Sequence, residues 1–510
     1  MWLRMIAAVF LGLVCFQVSN ARILTFEEAL SIALNQSYSI RAFEKEKQAA
    51  QFSYQYYKAQ FKPRIDLGLQ VPSWSEQVTP IQQADGLPVY NSTGSFQYAT
   101  ELAFTYMLPT GGNFQLSSDV YRDEQRTVLA LQDNRVLQTD KMYTKLGLSF
   151  EQPIFTANRL KENLRMAQYQ YEHHRSRFTR EQVNIMYKVT EGFYELYRAT
   201  RQVEIARRRY ENAGDAYRVA QILEKNGRIP EVDVLITKVD MAEREAELSE
   251  SINTLEREKD SFKHLIGIDL DLDIEIETHA QYDTPTVNMD KAIRSALKNR
   301  MELKEQDVII KLHEIDVDQA HRTSEFSGRI SAYYDFTGIS TIDDPGTRKL
   351  LESSVNNFMD RDPNRGITIS FSVPIFDWGR QSARVQEEKV QLDNSRLAYE
   401  NQRNLIIGQV RDIVRSVKEA RNRLRIHEQN KELSELTYSI SRKRFENGDI
   451  SSQELSIEQE RLANSQMAYL DAYVTYQLAL ADLKRKTMWD FGEDRSYLRL
   501  IENMKERKKV

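Results

Sequence analysis

Apolar and polar positions along the chain follow two rhythms. The first has a period of two. Ile65, Leu67, Leu69 and Val71 alternate with Arg64, Asp66, Gly68 and Gln70. Ile330, Ala332, Tyr334 and Phe336 alternate with Arg329, Ser331, Tyr333 and Asp335, and Ile367, Ile369, Phe371, Val373 and Ile375 with Thr368, Ser370, Ser372 and Pro374. Successive side chains of a strand point to opposite faces, so these runs predict strands at Arg64–Val71, Arg329–Phe336 and Ile367–Ile375, with a fourth at Lys145–Pro153. The second rhythm is a heptad. Val189, Leu196, Val203, Tyr210 and Tyr217 recur every seven residues, and Ile407, Val410, Val414 and Val417 follow a 3/4/3 spacing. Such seams predict long helices packed side by side at shallow angles. About 70 residues at 1.5 Å per residue make a rod of roughly 105 Å. The other helix faces carry Arg, Glu, Gln, Asn and Lys, so one narrow seam suits a sheath of neighbouring helices with water on one side.

The chain repeats itself. Lys145–Phe155 resembles Thr368–Phe376, and Glu224–Ile229 resembles Phe445–Ile450, with Pro153 matching Pro374 and Gly227 matching Gly448 at one constant offset. A rigid helix of constrained length explains why nothing is inserted between these landmarks. Phe26–Leu34 likewise resembles Met289–Leu297, at a larger offset, because the first copy carries roughly 40 extra residues between its strands; loops tolerate such insertions. Each copy reads as a helix (Thr25–Lys62, Asp290–Phe326), a strand, a polar loop, a strand, a very long helix to Asn226 or Asn447, a Gly turn, and a returning helix to about Leu265 or Lys486. The first copy's extra segment holds a possible hairpin, Glu101–Leu108 and Asn113–Tyr121 around Gly111 and Gly112. It is compatible with two further strands and equally with a folded loop.

Composition agrees with this picture. Only 19 glycines and 11 prolines occur in 510 residues, which favours long helices. The net charge of −5, from 70 basic and 75 acidic residues, excludes a strongly basic nucleic-acid binder. Residues 1–21 have a basic start, an apolar run from Met5 to Phe16 and a small-residue exit at Ser19–Ala21, as in a secretory signal peptide. Cys15, inside that run, is the sole cysteine, so no disulfide framework is expected. No motif for metal-dependent, nucleotide-dependent or nucleophilic catalysis is present. His173 and His174 lack the i, i+4 spacing of a zinc helix, and His313-Glu314 reads as a surface pair. No enzyme activity, cofactor or metal is expected.

Strands of about 9–11 residues separated by polar loops suit an outer-membrane barrel as well as a soluble half-buried sheet. The alternative reading is a soluble periplasmic coiled-coil scaffold without a pore. The ordered, duplicated features resemble the TolC family of outer-membrane efflux proteins. The likeness runs from about Leu24 to Met488 and rests on Leu24–Asn35, the strand-to-helix junction Pro374–Arg380 with its weaker counterpart Pro153–Arg159, the two Asn-Gly turns and Ile229–Leu235. It implies an α+β membrane protein with a signal peptide at 1–21, repeats at 22–287 and 288–488, and a C-terminal tail at 489–510. It further implies a homotrimer in the outer membrane of a Gram-negative bacterium. Each chain would give four strands to a 12-stranded barrel continuous with a periplasmic α-helical coiled-coil barrel. The function implied is a passive exit duct of a tripartite efflux or type I secretion system. The partners implied are outer-membrane lipid, a periplasmic membrane-fusion adaptor and an inner-membrane pump of resistance-nodulation-division, ABC or major facilitator type.

The resemblance also assigns residues. Asn226, Gly227, Arg228 and Ile229, with Asn447, Gly448, Asp449 and Ile450, are expected to be adaptor-docking tips. Asp233 and Glu454, each six residues past its turn glycine, are candidate acids of a closed periplasmic aperture. The family's second acid falls on Ile457, so a double acidic ring is not expected. Tyr56, Tyr57, Phe155, Phe376 and Trp378, where strands meet helices, are candidate membrane-interface aromatics.

Overall fold

The computed structural model describes residues 22–84, 86–277, 282, 284–323, 326–344 and 346–499. The expected signal peptide, and residues 500–510 of the expected tail, lie outside the described residues. In chain order the elements are β1 (Arg22–Leu24), α1 (Phe26–Gln36), α2 (Tyr38–Ala59), β2 (Arg64–Gln82), β3 (Pro88–Met107), β4 (Asn113–Leu129), β5 (Arg135–Ile154), α3 (Arg159–Lys225), α4 (Glu231–Ile266) and β6 (Ile274–Ile276). The second half continues with α5 (Met289–Asn299), α6 (Met301–Thr323), β7 (Ser327–Ile339), α7 (Thr347–Asp360), β8 (Asn364–Ser372), α8 (Arg380–Glu446), α9 (Ser452–Thr487), β9 (Trp489–Asp490) and β10 (Arg495–Ser496). The expected sequence of elements recurs in both copies, and α3 and α8 have the same length of 67 residues.

Three expectations need correction. The sheet has six strands, in the order β2-β3-β4-β5-β7-β8, in place of four. The undecided hairpin is β3–β4, and it pairs along its length with both flanking strands. The period-2 windows understated β2, β5 and β7, whose outer parts carry charged and polar residues such as Glu76, Gln138 and Asp140 among the apolar ones, while β8 has the expected nine residues but starts three earlier, at Asn364. The opening helix of each copy is two helices. Ser37 and Arg300 leave the helical region at ψ 140° and 131°. At Ser37 the interruption sits against the backbone of Gly267, where an added Cβ would lie 2.6 Å from the Gln36 carbonyl oxygen. The polar connection between β7 and β8 contains α7, which lies on β5 and β7 with Leu350 and Ser354 fully buried. Residues 489–499, within the expected C-terminal tail, are folded: β9 pairs with β10, and Tyr497 joins the helical core.

The chain divides into two compact units, 1–46 with 175–305 and 399–510, and 47–174 with 306–398. The core of the first unit is helical. Val189, Phe193 and Leu196 of α3 pack with Ile413 and Val417 of α8 and Tyr473, Tyr476 and Leu483 of α9. The short parallel pair β1–β6 ties the chain start to the segment after α4. The α3 heptad is buried at Val189, Leu196 and Val203, as its spacing predicts. On α8 the buried seam runs through Ile406, Val410, Ile413, Val417, Ala420 and Leu424. It shares Val410 and Val417 with the predicted seam but takes the neighbouring residue at the other two positions. Adjacent apolar pairs, Ile406-Ile407 and Ile413-Val414, make either register possible in sequence.

The second unit contains the sheet, antiparallel throughout. Among the described residues, the outer edges of β2 and β8 pair with no other strand. No helix of the described residues is long and apolar enough to cross a membrane.

Candidate channel wall and helical tips

Register turns the period-2 pattern into two continuous surfaces. Ile65 lies opposite Phe104, Phe104 opposite Leu116, Leu116 opposite Leu148, and Leu148 opposite Tyr334. Leu67 and Leu102, Leu146 and Phe336, and the pairs Ala332–Ile367 and Ile330–Ile369 extend the same face. This face is apolar on all six strands and, away from the part of β5 and β7 that α7 covers, it is uncovered: Leu67 is 62% exposed and Ile367 77%. Water would penalise so much contiguous apolar surface, which marks a partner or lipid site.

The opposite face is polar. It carries Arg64 and Asp66, Glu101, Asp119, Lys145, Glu151, Arg329 and Asp335. Lys145 Nζ lies 3.3 Å from the Asp335 carboxylate, and Arg329 Nε 3.1 Å from that of Glu151. Tyr121 and Tyr143 stack here at 4.4 Å. The arrangement can hold lipid on one side and water on the other. At the Gln70–Ser73 bulge, Pro72, which has no N–H, sits where the ladder of the edge strand β2 is already broken.

The predicted interface aromatics all lie in this unit, where strands give way to helices. Tyr56 and Tyr57 meet edge to face at 5.3 Å. Phe155 packs on Phe326 at 4.5 Å, and Phe376 on Trp378 at 4.7 Å, with Trp378 89% exposed. Asp377 closes the turn into α8 by accepting from the backbone N–H groups of Gly379 and Gln381, each at 3.0 Å. Those bonds, that from Gln381 foremost, hold its carboxyl below the usual range.

The tips belong to the first unit and close alike. Gly227 and Gly448 have φ of 67° and 78°, the left-handed region where glycine costs nothing. The Gly227 N–H bonds the Glu224 carbonyl and the Arg228 N–H that of Leu223; in the second copy Gly448 bonds Phe445 and Asp449 bonds Arg444, all four at 2.8 Å. Asn226, Arg228, Asn447 and Asp449 are exposed, whereas Ile229 and Ile450 pack against a small core of Ala220, Tyr438, Phe445 and Leu455. Glu454 is exposed at the start of α9 and forms a capping box. Its backbone N–H bonds the Ser451 hydroxyl at 3.2 Å, and its carboxylate accepts the Ser451 N–H at 3.0 Å. Asp233 is half-buried and accepts from the Ser452 hydroxyl at 2.9 Å, which joins one repeat to the other. Ile457 is half exposed on α9.

Two features escaped the sequence reading. Glu305 of α6 is buried beside Arg180, whose Nε lies 3.3 Å away. Burial pushes its carboxyl up to about 7, against the pull of Arg180. His313 has Asp316 as its neighbour one turn on, with Nδ1 3.6 Å from the carboxylate, and Glu388 from α8 joins them within 4.8 Å. The signal for that pair was the i, i+3 spacing; Glu388 is distant in sequence.

The sequence profile of the outer membrane efflux protein family matches residues 113–268 and 292–487. No curated protein matches the chain. Among solved structures, the CmeC outer membrane channel of Campylobacter jejuni is similar at a TM-score of 0.66 and 14% identity, covering 94% of this chain and 89% of that one. The outer-membrane channel OprN is similar at 0.64 and 15%, covering 91% and 89%. The open-state MtrE outer membrane channel of Neisseria gonorrhoeae is similar at 0.61 and 12%, covering 92% and 90%. The two profile matches take in most of the chain, one in each half, and this chain therefore belongs to the outer membrane efflux protein family, with the TolC-like fold of outer-membrane channels.

Proposed function

We propose that the chain works as a homotrimer, the passive exit duct through which an inner-membrane pump passes its cargo across the periplasm and outer membrane. The observation that carries this reading is the two-faced sheet with two unpaired edges. In lipid every backbone polar group must be satisfied, so an open sheet cannot sit there alone. Further copies of the chain would pair the edges, lipid would cover the apolar face, and the polar face would line a water-filled lumen. Uncovered helix stripes support assembly. Ile426, Leu433, Leu436 and Ile440 of α8, and Val232, Leu235, Ile236 and Val239 of α4, are exposed at heptad-like spacing. A soluble scaffold would gain nothing from an apolar sheet face.

A duct of this kind performs no covalent chemistry. The exposed tip residues Asn226–Arg228 and Asn447–Asp449 are proposed to meet the membrane-fusion adaptor, with Arg228 and Asp449 giving the two tips opposite charge. Asp233 and Glu454 are proposed to surround the periplasmic aperture, where clustered carboxylates favour cations. Fractionation and reconstitution test the reading. The protein is expected to require detergent, migrate as a heat-modifiable trimer and conduct ions in planar bilayers. A water-soluble, non-conducting monomer overturns it. Arg228→Asp is expected to weaken adaptor crosslinking at that tip; unchanged crosslinking and transport remove the charge-register proposal.

A further inference from the structure

We propose that the β3–β4 hairpin is built into the barrel wall, so that three chains close an 18-stranded barrel through pairing of β8 of one copy with β2 of the next. The proposal rests on the trimeric duct reading and specifies its outer-membrane part.

The hairpin satisfies each requirement of a wall segment. It stands between β2 and β5, which do not pair with each other. Its pairing is continuous from Arg64–Thr105 to Gln82–Pro88 on one side, apart from the bulge in β2, and from Asn113–Glu151 to Leu129–Arg135 on the other. Its side chains keep the neighbours' faces. Leu102, Phe104, Phe114 and Leu116 continue the apolar surface, and Glu101 and Asp119 point to the polar one. A hairpin folded back as an aqueous loop would have no reason to expose Leu102 and Leu116, as this one does. Beyond the band, Arg122, Glu124 and Asp140 occupy the outward positions. Arg122 is bonded there to Glu124 at 2.8 Å and to the hydroxyl of Thr347, the first residue of α7, at 2.7 Å. These charges mark where lipid ends.

The two edges suit each other. All five pairings are antiparallel, so with six strands β8 runs opposite to β2, and a second copy can add antiparallel at either edge. An odd number would have forced a parallel seam. The nine residues of β8 are of similar length to Arg64–Gln70, the part of β2 before the bulge, where the N–H-less Pro72 stops the ladder. Both stretches put aliphatic residues on the same surface, Ile367 and Ile369 on β8 and Ile65, Leu67 and Leu69 on β2, so the apolar girdle would cross the junction unbroken. Barrel diameter grows roughly linearly with strand number, and 16–18-stranded barrels leave an aqueous channel. Eighteen strands in place of twelve widen the lumen about 1.5-fold and its cross-section about twofold.

The test uses the full-length chain reconstituted in planar bilayers. Glu101→Cys and Asp119→Cys are expected to lose current on addition of a charged, water-soluble methanethiosulfonate. Leu102→Cys and Leu116→Cys should resist that reagent and react with a lipid-soluble maleimide. Deleting residues 84–131 leaves β2 and β5 antiparallel, and the conductance of that variant should fall about twofold. Electron microscopy of the unaltered trimer should count 18 strands. If the unaltered channel conducts but the currents of the Glu101→Cys and Asp119→Cys variants are insensitive to the reagent, the proposal is overturned and the duct reading left intact, as by a count of twelve strands from three copies. Absence of any current from the unaltered chain overturns the duct reading, and this inference with it. The cysteine readout decides the matter even if the deletion variant fails to assemble.

Discussion

Moving one positive charge by a single residue along β5 separates a lipid-facing wall from a water-facing sheet. Lys145 already carries a charge, on the polar face beside Asp335. Its neighbour Leu146 faces the other way, opposite Phe336 and Ser118. On β5 that face runs uncovered from Phe150 to Leu146 and then passes under α7, which buries Thr144 and Met142. Leu146 therefore stands at the α7 end of the apolar band, opposite Phe336, which packs on Phe358 of α7. Leu146→Lys is expected to destabilise each chain by about 2 kcal/mol, between the near-zero cost of a basic residue at a membrane interface and the larger cost at the bilayer midplane. Lys145→Gln removes only a part-exposed ion pair and should cost no more than about 1 kcal/mol. Urea titration of the protein refolded into liposomes, read by heat-modifiable migration, measures both. Equal stability of the two variants would refute the assignment of the apolar face to lipid, because on a water-facing sheet an exposed lysine at Leu146 is harmless.

Other predictions concern the helical unit. The Glu305 carboxyl holds its proton to about pH 7 when folded, above the ordinary unfolded value near 4.5. Its contribution to stability is thus full below about pH 4.5 and is lost as the pH rises through 7; solvent screening trims it to about 1–2 kcal/mol. Thermal melts of Glu305→Gln between pH 5 and 8 should be flatter than the parent's by that amount. Gly267→Ala should cost at least about 2 kcal/mol, since φ of 81° disfavours a side chain and the Cβ would meet the Gln36 carbonyl; chemical denaturation checks it. Ser451→Ala should cost about 1 kcal/mol through loss of the cap. Glu454→Gln should keep that stability while reducing any cation preference of the conducting pore, and unchanged selectivity would remove Glu454 from the aperture.

Much of the architecture was legible because it is written locally. A period of two, a period of seven and a turn glycine each act over a few residues, and duplication of the whole unit supplied an internal check. The tips illustrate this: the two Asn-Gly turns, 221 residues apart, close with matching hydrogen bonds. The strand-to-helix junctions were legible for a similar reason, since Pro-Ile-Phe recurs at 153–155 and 374–376. The role of Glu454 as a cap is also written locally, in the capping-box spacing of Ser451-Ser452-Gln453-Glu454.

The remaining features depended on partners distant in the chain. Whether Glu101–Tyr121 extends the sheet was undecidable from residues alone, because alternation says which side chains share a face and not which strand lies beside them. Only pairing with β2 and β5 placed the hairpin in the sheet. The break at Ser37 follows from the approach of Gly267, and the choice of Ile406 over Ile407 from the packing of α8 on its neighbours. The shifted carboxyl of Glu305 needs burial beside Arg180, more than 100 residues away. Periodicity determined the elements and their two-faced character, since each is set by the geometry of its own backbone; tertiary structure decided strand count, seam register and buried charge, because those depend on what a face meets.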